Sequence, residues 1–256
     1  VILTGEDSLE EVRRLECIYL ANRDCGREFS LGLLADLPER DAPITQEDRD
    51  LICRLESALN QLNRRYDGQF FLFFRGPVYQ SSQGTFAGCE RKRGALLELA
   101  RMLRARHSRI EVYSGDQSRL QAVRYLVTLD SDTNPGVGGV RPLVGAMAHP
   151  MNRPELDRTR GVVTKGYAII QPQIRTVLSA ARATPFAGGA GTDPYRGTGS
   201  ELCHDLFDEA SFCGKGILDI DCFLACMDGR IPDQRVLSHD ILEGAFLRTG
   251  FLGQVS

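Results

Sequence analysis

The chain has 256 residues, 42% hydrophobic and 25% charged, a composition that excludes disordered, collagen-like and disulfide-miniprotein classes and leaves a folded chain. With 31 Lys+Arg against 34 Asp+Glu the net charge is -3, and no long block of like charge suggests a nucleic-acid binder. The longest apolar stretches, Phe70–Phe74 and Ile217–Cys226, are shorter than the roughly 18 residues of a membrane span. Val1 stands where an initiator Met would, with no signal-peptide pattern after it, and the chain is read as a piece of a longer protein. Its eight Cys include no CxxC pair and read as reduced thiols of a cytosolic setting; Cys203, His204 and Cys213 match no structural zinc spacing.

In chain order, Ser8–Tyr19 carries Leu9, Val12, Leu15 and Ile18 or Tyr19 at helical spacing, and Phe29–Ala35 is a short apolar run that predicts a strand ending at Asp36. Thr45 caps a second helix with an apolar face of Leu51, Ile52, Leu55, Leu59 and Leu62, stopped at Gly68. Phe70–Phe74 predicts a buried strand, Arg91–Arg106 a helix and Arg124–Leu129 another strand. This alternation implies an α/β fold with a mainly parallel central sheet flanked by helices. Asn134–Pro142 and Pro185–Gly199 are rich in Gly and Pro and read as loops, the second mobile; Val162–Gln171 reads as a strand, and Glu201–Glu209 and Asp240–Thr249 as helices. No internal repeat is visible. One domain is expected, with a nucleotide-binding half over 1–133 and an acceptor half over 134–256.

Four features carry chemistry. Asp130-Ser131-Asp132 places two acids one residue apart where a strand leaves the sheet, the end at which α/β sheets bind ligands. Their hard oxygens suit Mg2+ or Mn2+ shared with a phosphate; the same residues are also good turn and cap chemistry. Arg91, Lys92 and Arg93 crowd a helix N-terminus that disfavours positive charge, so an anion such as a diphosphate would offset them, unless the helix end is simply solvated. Cys213-Gly214-Lys215-Gly216 sets a cation between two glycines, as a ligand contact or as a turn. Asp240 opens a helix, as an acid with chemistry to do or as an N-cap alongside Ser238.

In order, ERKRGALLELARML, YLVTLDSDT and SHDILEGAFLRTGF resemble the motif sequence of family-2-like glycosyltransferases of the GT-A fold. More closely, the phrases RLECIYLANRD, FSLGLLADLPE, GAMAHPMNRP, GYAIIQPQI, DPYRGTGSELCHDLFDEASFCGKGILDIDCF and RIPDQRVLSHDILEGAFLRTGF resemble the glycosyltransferase domain of cyclic β-1,2-glucan synthases, over almost the whole chain from Arg14 to Gly253. Two departures stand out: no QxxRW motif is present, and the acid usually written in a TED triplet stands in Ser238-His239-Asp240.

The resemblance implies an inverting transfer of glucose from UDP-glucose to the 2-hydroxyl of a growing β-1,2-glucan. It implies Asp132 and Asp130 as ligands of Mg2+ or Mn2+, Asp240 as the base with Glu243 and Asp208 next in line, and Asp36, Arg91, Lys92, Asp130 and Lys215 around the nucleotide sugar. Gly214, Gly216, His239 and Glu243 fall on the acceptor side. It also implies a parent protein with transmembrane and phosphorylase-like regions, this domain being a soluble fragment from the cytoplasmic face of the inner membrane. The alternatives are another sugar nucleotide or linkage, or a non-catalytic scaffold that binds nucleotide or glucan.

Overall fold

The computed structural model describes residues 3, 7–81, 84–174, 198–232 and 239–253. The chain divides into two compact units: Val1–Val123 with Asp130–Thr133 and Ile231–Val236, and Arg124–Leu129 with Asn134–Arg230 and Leu237–Ser256.

In the first unit, α1 (Asp7–Ala21) buries Val12, Leu15 and Ile18 at helical spacing, and β1 (Leu31–Asp36) buries alternate residues. Helix α2 (Gln46–Arg65) begins at a capping box in which the Thr45 hydroxyl accepts from the Asp48 N–H and the Asp48 carboxylate accepts from the Thr45 N–H. The helix buries all five predicted apolar residues, and Gly68 beyond its end takes a positive φ of 75°. Strand β2 (Phe70–Arg75) is buried at every position, because an unbroken apolar run suits a strand covered on both faces. The hairpin of β3 (Val78–Gln80) and β4 (Thr85–Ala87) leads to α3 (Arg91–Leu103) and then β5 (Ile110–Ser114). The sheet order is β1-β2-β5, with β1 parallel and β5 antiparallel to β2.

The second unit holds β6 (Tyr125–Thr128), α4 (Val140–Ala148), the hairpin of β7 (Glu155–Asp157) and β8 (Val162–Lys165), and β9 (Ile169–Pro172). After these come α5 (Thr198–Phe207), β10 (Gly216–Asp219), α6 (Ile220–Met227), α7 (Asp240–Leu247) and β11 (Thr249–Leu252). Four strands form a sheet of order β11-β9-β10-β6 in which only β11 and β9 run parallel. Ile170 and Ile217, partners across β9 and β10, pack with Leu143 and Met147 of α4 and with Tyr167.

The structure is thus mixed α/β, but the expected mainly parallel central sheet is corrected to two smaller mixed sheets among the described residues. Alternating helices and strands predict parallel returns, whereas the chain comes back antiparallel at β5 and β10. The Asn134–Pro142 loop is also shorter than expected, since α4 already starts at Val140. Pro142 fits its first turn because N–H groups there have no partner within the helix. The single strand expected over Val162–Gln171 is broken into β8 and β9 by Gly166, where a Cβ would lie 2.1 Å from the Arg153 carbonyl oxygen. The expected mobility of Pro185–Gly199 falls outside the described residues up to residue 197. No helix among the described residues is long and apolar enough to cross a membrane.

Candidate functional site

In the first unit the site starts from two strand ends. Asp36 and Arg75 are partners in the parallel register of β1 and β2. The Arg75 side chain is wholly buried, and it donates from Nε to Asp36 Oδ1 at 2.8 Å and from Nη2 to Asp36 Oδ2 at 2.5 Å. Its Nη1 donates to the Cys89 carbonyl at 2.7 Å, tying the head of α3 to the sheet. Glycine is required on both sides of that turn: a Cβ on Gly88 would lie 2.4 Å from Arg75 Nη2, and one on Gly94 2.1 Å from the Cys89 carbonyl oxygen. Asp36, expected to anchor the nucleoside, therefore already accepts from Arg75 on both oxygens, each of which keeps a further lone pair. Sequence reasoning missed Arg75, although a cation closing the run FFLFFR was the available clue.

Lys92 and Arg93, at the head of α3, find acids within the unit. Arg93 Nη1 lies 3.1 Å from Glu90 Oε2, with both side chains 6% exposed, and Glu90 itself takes a left-handed φ of 59°. Lys92 Nζ lies 2.5 Å from Asp130 Oδ1, both groups partly open to solvent. The anion expected from a ligand is thus supplied in part by Glu90 and Asp130. The side chain of Arg91 lies outside the described residues.

Asp130–Thr133 forms a turn in which the Thr133 N–H donates to the Asp130 carbonyl at 3.1 Å and the Thr133 hydroxyl to Asp132 Oδ1 at 2.9 Å. From α1, Arg14 Nη2 donates to the Asp130 carbonyl at 2.6 Å and also to the Thr133 carbonyl. Asp132 is exposed. Among the described residues no group of three or more His, Cys, Asp or Glu could hold a metal. Two hard carboxylates on one open turn suit a small divalent cation that takes its remaining ligands from water and a phosphate. They do not make a closed site built from protein ligands alone.

In the second unit, α7 starts at Asp240 with His239 in the cap position, so Asp240 sits in the first turn and is not the cap. Ser238 lies outside the described residues. The Asp240 carboxylate lies against Gly214: a Cβ there would be 2.8 Å from Oδ2, and the φ of 79° at Gly214 also calls for glycine. At Gly216 a Cβ would be 2.5 Å from the Ile170 carbonyl oxygen. At both glycines the space that a side chain would fill holds the protein's own atoms, from Asp240 and Ile170. The Thr128 hydroxyl donates toward the Gly214 and Gly216 carbonyls at 3.2 and 3.3 Å.

Lys215, His239 and Glu243 are buried in this unit. Gln171, not foreseen from sequence, is 1% exposed; its Oε1 accepts from the Cys213 N–H at 2.7 Å, and its Nε2 finds no hydrogen-bond partner among the described residues. Asp208, a reserve candidate for the base, accepts from the Tyr167 hydroxyl at 2.5 Å and from Arg248 Nη2 at 2.8 Å. Burial and this carboxylate push the Tyr167 phenol up to about 12. Asp208 is therefore a partner in a network with Tyr167 and Arg248.

No protein-family model matches the chain. It is 36% identical, over 265 residues, to the cyclic beta-(1,2)-glucan synthase NdvB of Rhizobium meliloti (strain 1021). That alignment takes in 99% of this chain and 9% of that protein, so the chain spans less than a tenth of the length of the curated relative it matches. The likeness supports a domain related to that glucan synthase, in line with the resemblance carried by the sequence phrases above.

Proposed function

We propose that the chain is a GT-A-type glycosyltransferase domain that moves glucose from UDP-glucose to the 2-hydroxyl of a growing β-1,2-glucan with inversion. The observation that carries this reading is the Asp130–Thr133 turn, with two carboxylates and the Lys92 ammonium, in a chain similar to a cyclic beta-(1,2)-glucan synthase along nearly its whole length. Asp130 and Asp132 would hold Mg2+ or Mn2+, which when bound stabilises negative charge on the diphosphate oxygens. Lys92 can exchange its Asp130 partner for a diphosphate oxygen, because both groups are partly exposed and such pairs hold loosely. Asp36, fixed by Arg75, offers its remaining lone pairs to a donor N–H or hydroxyl of the nucleoside.

In the second unit Asp240 is the proposed base. Its carboxylate takes the proton of the acceptor 2-hydroxyl as that oxygen bonds to the anomeric carbon, and the bond to UDP breaks with its electron pair leaving on the diphosphate. The Asp240 carboxylate lies beside Gly214, where a side chain would crowd it.

The test is Asp240→Asn in the longer parent protein. Asn keeps the size and removes the basic lone pair, so transfer to glucan should fall about 100-fold or more with UDP-glucose affinity unchanged. Elongation at the parent's rate would remove Asp240 from the role of base.

A further inference from the structure

We infer that Arg14 is a positioning residue for the Asp130–Thr133 turn, setting the two carboxylates in the arrangement a cation and a diphosphate require. The inference rests on the donor-site reading above and extends it to a residue in α1, 116 positions before Asp130. One nitrogen of the Arg14 guanidinium donates to the carbonyls of the first and last residues of the turn, Asp130 and Thr133. A second nitrogen, Nη1, lies 2.9 Å from Glu11 Oε2, three positions earlier on the same helix, so the guanidinium is braced on α1 as well as on the turn.

Lys92 and Arg14 grip this turn at different atoms. Lys92 binds a carboxylate oxygen, which is the group a cation needs, so its grip has to yield when ligand arrives. Arg14 binds backbone carbonyls, so its grip can persist with the carboxylates engaged elsewhere. A positive charge under the turn also offsets the repulsion between two acids held close together. Within the turn the Thr133 N–H donates to the Asp130 carbonyl and the Thr133 hydroxyl to Asp132 Oδ1, so the backbone carbonyl of Asp130 accepts both from inside the turn and from Arg14. Arg14 therefore acts on the turn through its backbone carbonyls.

The experiment is calorimetric titration of UDP, with and without Mn2+, into the chain and its Arg14→Gln, Arg14→Lys and Glu11→Gln variants, with melting temperatures alongside. Arg14→Gln should cut the gain in UDP affinity caused by Mn2+ about tenfold while metal-free affinity stays within about twofold. Arg14→Lys should recover part of the gain, and Glu11→Gln should lower it about twofold at nearly parental melting temperature. A purely structural role would lower the melting temperature and leave the Mn2+ gain alone. That result in Arg14→Gln and Arg14→Lys overturns the inference; should Arg14→Gln fail to fold, an unchanged gain in both Arg14→Lys and Glu11→Gln overturns it. A parent chain with no Mn2+ gain overturns the donor-site reading and this inference together.

Discussion

Arg75 and Asp36 close neighbouring parallel strands and are joined by two hydrogen bonds, with the guanidinium wholly buried and its third contact made to the Cys89 carbonyl. A single buried cation thus connects the ends of β1 and β2 to the head of α3. Arg75→Leu leaves Asp36 uncompensated and the Cys89 carbonyl without its donor, and should cost about 3–5 kcal/mol of unfolding free energy. Urea denaturation measures this, and a loss below about 1 kcal/mol would show that the pair is not structural. In the double variant Asp36→Asn with Arg75→Leu the loss should be clearly smaller than the sum of the single losses, because no charge is left unpaired.

Acid should weaken the first unit through Glu98. Burial alone would raise its carboxyl, but hydrogen bonds from the Arg109 N–H and guanidinium, with that side chain's charge, outweigh burial and hold it below its ordinary 4.5. A carboxyl lowered in the folded state contributes stability that is fully present above the unfolded value near 4.5 and is lost as pH falls through the folded one. Glu98→Gln should therefore destabilise by about 1–3 kcal/mol at pH 7, and the gap to the parent should shrink progressively below about pH 4.5. Denaturation curves at a series of pH values decide it; a gap that stays constant into acid would contradict the assignment.

Gly214→Ala should act on Asp240 from the other side of their contact. The positive φ costs about 1–2 kcal/mol for a residue with a side chain, and the new Cβ meets the Asp240 carboxylate at 2.8 Å. Stability should fall by at least that amount, and in the longer parent protein transfer should fall with it as the carboxylate is displaced. Transfer at the parent's rate in a folded Gly214→Ala protein would show that the placement of Asp240 does not matter to the reaction.

Local features of this fold were legible in the sequence because local physics decides them. Thr45 caps α2, the unbroken Phe70–Phe74 run makes a strand buried on both faces, and Gly68 ends a helix. The direction in which β5 and β10 pair was not legible, since direction depends on how the chain returns and periodicity does not record it. At the candidate site, Asp130, Asp132, Lys92 and Asp240 carried recognisable chemistry in short motifs. The side chains that brace the backbone of the two units did not. Arg14 lies on α1 far from the turn it holds, Arg75 finishes an apolar run, and Gln171 sits inside a strand pattern, so only the folded chain brings each to its place. The glycines at 214 and 216 were expected to let a ligand come close; what the sequence could not show is that the atoms of Asp240 and Ile170 lie where their side chains would be.

The central claim is that the Asp130–Thr133 turn forms a metal-dependent nucleotide site, and calorimetric titration of UDP into the parent chain and Asp132→Ala, each with and without Mn2+, tests it most directly. The parent should bind UDP more tightly with Mn2+ than without it. Asp132→Ala should lose that gain while keeping the parent's melting temperature, because an exposed carboxylate supports little packing. UDP binding by Asp132→Ala that matches the parent in the presence of Mn2+, or no UDP binding by the parent under either condition, would contradict the account.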